Sequence, residues 1–134
     1  MNVKSNNVVT ICYKFVLHYN YNFLGDTMFV EYVLFYAIKK ALGLEDKDIV
    51  KYSYSPFCLN AKVNSEYSKC KQIVIYNHEK ECDIFFEKGV SGGTVNEINQ
   101  FGIISVQPIT EPSEDELKVT PIVKDGVKIH MSWK

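Results

Sequence analysis

The chain has 134 residues, enough to bury an apolar core without disulfides or metals, and its 46% apolar and 23% charged residues are those of an ordinary globular protein. Net charge is −1, with seven Lys against six acids in residues 1–67 and eight Lys against ten acids in 68–134. Neither half is basic, which argues against a nucleic-acid partner held by broad charge.

Arginine is absent, so a phosphate or carboxylate would have to be held by Lys, backbone N–H groups or neutral donors. The abundance of Lys, Asn, Ile and Tyr suggests a low-GC genome, of viral or mobile-element type. No small-residue cleavage site follows the short apolar run near the start, and the four cysteines form no C-x-x-C pair. The expectation is a cytoplasmic protein with reduced thiols, folded as one domain over 1–134.

In chain order, residues 8–19 (VVTICYKFVLHY) alternate β-branched and aromatic residues and predict a first strand. Residues 26–44 (DTMFVEYVLFYAIKKALGL) predict a helix over about 27–42, apolar on nearly its whole circumference. Asp26 or Thr27 suits its start, Lys39 and Lys40 its last turns. Gly43 suits a left-handed stop, and Leu44 can fold back as the accompanying apolar contact. The unbroken apolar run from Val33 to Ile38 is too short for a membrane span, which needs ~20 residues.

Val50, Tyr52 and Tyr54 predict a strand ended by Pro56, whereas 58–70 is polar and carries no clear assignment. KQIVIYN from Lys71 and CDIFFEK from Cys82 predict a hairpin. Gly89–Gly93 (GVSGG) reads as a flexible turn, Thr94–Glu97 as a capping box for a short second helix ending near Gly102, and 102–109 as a strand. The acidic stretch 110–117 reads as a linker. Asp125-Gly126 inside VTPIVKDGVKIHMSW predicts a closing hairpin, with Pro121 keeping its first arm at a sheet edge.

Together these elements predict an α+β fold, a mainly antiparallel sheet wrapped around or packed on one long apolar helix, with a short second helix. The architecture resembles the hot-dog and cystatin-like types. Hot-dog thioesterases and dehydratases use an acidic residue near the central helix, so the resemblance implies Asp26 or Glu31 as a general base on an acyl thioester. Read from the residues alone, Asp26 and Glu31 are explained by helix-end electrostatics.

The strongest ligand signal is the Gly-rich turn before a helix, which can aim backbone N–H groups at a phosphate. Ser91, Gly92, Gly93 and Thr94 would contact the anion, Lys88 would supply charge, and Tyr52 and Tyr54 could stack. Neither standard nucleotide fingerprint is present, and glycines that merely supply positive φ would explain the turn as well. Cys58, Cys70, His78 and Cys82 match no zinc spacing, and a cysteine paired with His18 or His130 is a chance-level arrangement, so no metal or cofactor is expected. Glu111, Glu114, Asp115 and Glu116 lack calcium-loop spacing and read as a solvated run.

The sequence therefore points to a small non-catalytic binding or interaction protein. Its ligand would be a phosphate-bearing small molecule or a protein partner. With eight Phe, nine Tyr and one Trp, the chain is expected to self-associate. The alternatives are the acyl-thioester enzyme and a structural subunit of an assembly.

Overall fold

A computed structural model describes residues 26–54, 58–76, 79–110 and 119–133. The strand expected over 8–19, His18, His78 and the acidic run 111–118 lie outside the described residues. Helix α1 spans Asp26–Ala41 and helix α2 spans Gly92–Asn99. The strands are β1 (Ile49–Tyr54), β2 (Cys58–Val63), β3 (Cys70–Tyr76), β4 (Glu81–Glu87), β5 (Ile103–Pro108) and β6 (Gly126–Ser132).

All six strands pair antiparallel, in the order β1-β2-β3-β4-β6-β5. The first four form a meander. After α2 the chain then enters the far edge as β5 and returns as β6 between β5 and β4. The fold is thus α+β with an antiparallel sheet. Helix α1 falls where the sequence predicts a helix over about 27–42, but both helices are short, 16 and 8 residues, and a sheet wrapped around one long apolar helix is not confirmed. Helix α1 lies against the sheet through Leu34, Phe35 and Ile38, while Tyr32 is 47% exposed and Tyr36 36% exposed. No helix among the described residues is long and apolar enough to cross a membrane.

The end of α1 follows its sequence closely. Gly43 takes φ 71, its N–H donates to Lys40 O at 3.0 Å, and the Leu44 N–H donates to Lys39 O at 2.9 Å. This pair of bonds satisfies the last carbonyls and turns the buried Leu44 back into the core. Lys39 is itself buried, ion-paired to Asp46 in the following 3-10 turn (Asp46–Asp48) and set against the Phe35 and Tyr36 rings.

Period-two alternation divides the sheet into two faces. Leu59, Ala61, Ile73, Ile75, Cys82, Ile84, Ile129 and Met131 join the helices in one core. Val74, Tyr76 and Phe85 form a smaller cluster on the opposite face, covered by Ile109, Val119 and Val123. Strand β2 supplies the alternation Leu59, Ala61, Val63 from within the stretch that carried no assignment, because its intervening Asn60 and Lys62 lie on the other face.

The closing hairpin is not formed. Gly126 opens β6 against Glu87 of β4, and the expected first arm, 119–124, has no strand. That arm crosses the second face, where the Val119 N–H donates to Tyr76 Oη (3.1 Å) and the Ile122 N–H to the buried Gln72 Oε1 (3.0 Å). Pro121 has no N–H for a ladder, and these side chains supply acceptors that a neighbouring strand would otherwise provide. Gly126 is required by contact: a Cβ there would run into the Phe86 carbonyl.

Candidate functional site

Three segments meet on the helix side of the sheet around a cleft of about 380 Å³. The first is the end of α1, Leu42 to Leu44. The second is the β2–β3 connection, contributing Ser65, Tyr67, Ser68 and Lys69. The third joins β4 to α2 through Gly89, Val90, Ser91 and Thr94. Buried Leu44, Cys70 and Phe86 form its apolar floor, and the serines, Thr94 and Lys69 give it polar walls.

Local hydrogen bonds fix the second segment. The Tyr67 N–H donates to Ser65 Oγ (3.2 Å), the Cys70 N–H to Ser68 Oγ (3.1 Å), and Lys71 Nζ to Ser65 O (2.8 Å). The Glu87 N–H donates to Lys69 O at 2.8 Å, tying the loop to β4. Tyr67 is left 97% exposed at the cleft mouth, and Lys69 is exposed with no ion pair among the described residues.

In the third segment the helix cap lies three positions earlier than the expected capping box, at Ser91 and not Thr94. Ser91, with extended backbone, is the cap, and its hydroxyl accepts the Thr94 N–H at 3.2 Å. Gly92 and Gly93 therefore open the helix, with N–H groups that have no acceptor in a preceding turn. Positive φ falls on Lys88 (70°), whereas Gly89, Gly92 and Gly93 do not have it, and a Cβ on any of the three would meet nothing within 4 Å. Neither backbone conformation nor packing among the described residues requires these glycines.

Of the residues expected to bind a ligand, Ser91 and Thr94 line the cleft, whereas Lys88, Gly92 and Gly93 adjoin its lining in sequence without being part of it. Tyr52 and Tyr54 lie in β1, in register with Ala61 and Leu59. Asp26 and Glu31 belong to α1, which Asp26 opens. Lys69 and Tyr67 escaped notice because the loop carrying them has no periodicity; the one available signal was a lysine beside a serine-rich turn.

The cleft offers a cation, hydroxyls and a helix start, but no activated nucleophile. Burial pushes the Cys70 thiol up to about 12, outweighing nearby Lys71, and burial with the charge of Asp83 lifts Cys82 well above the ordinary thiol range. Among the described residues no group of three His, Cys, Asp or Glu could hold a metal ion.

The second face carries a separate polar group that the sequence did not single out. His130 Nδ1 is 2.7 Å from Asp83 Oδ1, and its Nε2 is 3.7 Å from Glu81 Oε1. Asp83 and His130 are register partners on adjacent strands, which explains their meeting. Compared with known proteins, the chain matches no family model, no curated protein and no solved structure.

Proposed function

We propose that the chain is a small non-catalytic binding protein that takes a phosphate-bearing small molecule into the cleft between the end of α1, the β2–β3 loop and the start of α2. What chiefly supports this reading is the convergence of Ser91, Thr94 and Lys69 on one concave site beside a glycine-opened helix start. The volume suits a small ligand, near the lower end of the ~300–1,000 Å³ usual for such sites. The phosphate would sit at Ser91–Thr94 with Lys69 as counter-charge, and Tyr67 would cover the rest of the molecule. Binding is favoured over turnover because the cleft lining contains no His, Asp or Glu and its only thiol is protonated.

The same reading has the protein self-associate in the cytoplasm, where the free thiols of Cys58, Cys70 and Cys82 stay reduced. Exposed Tyr32, Tyr36, Ile103 and Val106 support the self-association. Thermal melting with inorganic pyrophosphate as probe tests the site. Wild type should gain stability as probe is added, and Lys69→Glu and Gly93→Val should lose that gain while still folding. An equal gain in all three proteins would reject the site.

A further inference from the structure

The two edges of the sheet are not alike. Strand β1 carries Lys51 and an irregular register between Ile49 and Lys51, both devices that discourage another strand from pairing. Strand β5, IISVQP, has no charged residue, and Ile103 is 74% and Val106 48% exposed. Its inner side is paired to β6 throughout, and no strand among the described residues pairs with its outer side.

We infer that the outer edge of β5 pairs antiparallel with β5 of a second copy, joining two six-stranded sheets into one. This rests on the self-association proposed above and names its surface. A two-fold axis that relates antiparallel edge strands stands perpendicular to the sheet, so both copies keep their helices on the same side. Directly opposed residues must then share a face, and the axis must pass through a residue pair, not between two.

Centring on Ser105 sets Ile104 opposite Val106 of the second copy, and Ile103 opposite its Gln107. Ile104 and Val106 are in register with Met131 and Ile129, so the new pair continues an apolar row already in the core. Centring on Val106 would bring Pro108, which has no N–H, into the new ladder. The strand bears no charge, so self-pairing sets no like charges opposite one another, a cost that many unrelated strands would not escape.

Sedimentation of the full chain tests the interface with the double variant Ile103→Lys, Val106→Lys, whose sites are exposed in the single chain. The expected result is a wild-type dimer and a variant at half that mass with an unchanged circular dichroism spectrum. A wild type monomeric at every concentration reached overturns both self-association and the β5 edge. An assembly that survives both lysines overturns the edge alone. Should the variant fail to fold, Ser105→Cys decides: oxidation should give a dimer joined at position 105, and its absence overturns the proposal.

Discussion

Cys70 and Cys82 show how one position in a strand decides the chemistry of a side chain. Each points into the helix-side core, at 2% and 0% exposure, so ionisation would leave a thiolate without solvent. The folded thiol of Cys70 holds its proton to about 12, whereas the unfolded thiol releases it near the ordinary value of 9.0. Its contribution is therefore complete below pH 9 and is lost as pH rises through the 9–12 window, where the unfolded chain binds fewer protons. Urea midpoints should fall as pH rises from 9.0 towards about 12, and fall less in Cys70→Ala. Equal slopes would mean that Cys70 is not buried as described. Gln72 illustrates the converse, a polar group fully buried but hydrogen-bonded at both amide atoms: its N–H donates to Asn60 Oδ1 at 2.9 Å and its carbonyl accepts from Ile122. Gln72→Leu would strand the Ile122 N–H and should cost about 1–3 kcal/mol in chemical denaturation.

At the scale of elements, the ends of the two helices follow different rules and give opposite expectations. The hydroxyl of Ser91 satisfies an otherwise orphaned N–H of α2, so Ser91→Ala should cost about 1 kcal/mol. Gly92 and Gly93 meet no packing or φ requirement, and helix interiors favour Ala over Gly by roughly 0.5–1 kcal/mol. Gly93→Ala should therefore leave folding intact or raise stability slightly, yet weaken pyrophosphate binding if the backbone is approached there. A gain in stability with undiminished binding would show that the glycine serves neither packing nor ligand. In β6 the reverse holds, since a side chain at Gly126 collides with the β4 backbone; Gly126→Ala should cost about 3 kcal/mol or more.

These same elements mark how far local pattern carries. The stop of α1 was legible because Gly43 and Leu44 bond to Lys40 and Lys39 only a few residues before them, and β3 and β4 because their apolar runs are dense. The closing segment was misread because Asp125-Gly126 satisfies a local turn preference that a long-range demand overrides. Gly126 serves the packing of β6 against β4, and Val119 and Ile122 before it serve Tyr76 and Gln72, 43 and 50 positions away respectively. Half of the cleft was legible as a Gly-rich turn; the rest, Lys69 and Tyr67, belongs to it only because β2, β3 and β4 set their connections side by side.

For the whole molecule, the sheet separates two polar sites with different prospects. The cleft is on the helix side, concave and with no His, Asp or Glu in its lining, whereas the Asp83–His130–Glu81 group is on the other face and outside that cleft. Binding at the cleft should therefore be insensitive to His130→Gln and sensitive to Lys69→Glu, a contrast readable in the same melting experiment. The cleft, and not the opposite face, is proposed to receive a phosphate. Titrating isotopically labelled protein with inorganic pyrophosphate and following each backbone amide by NMR tests it most directly. Saturable shifts concentrated at Lys69, Gly89 and Ser91–Thr94 are the predicted result. Shifts centred on Asp83 and His130, or no saturable shift anywhere, would contradict it.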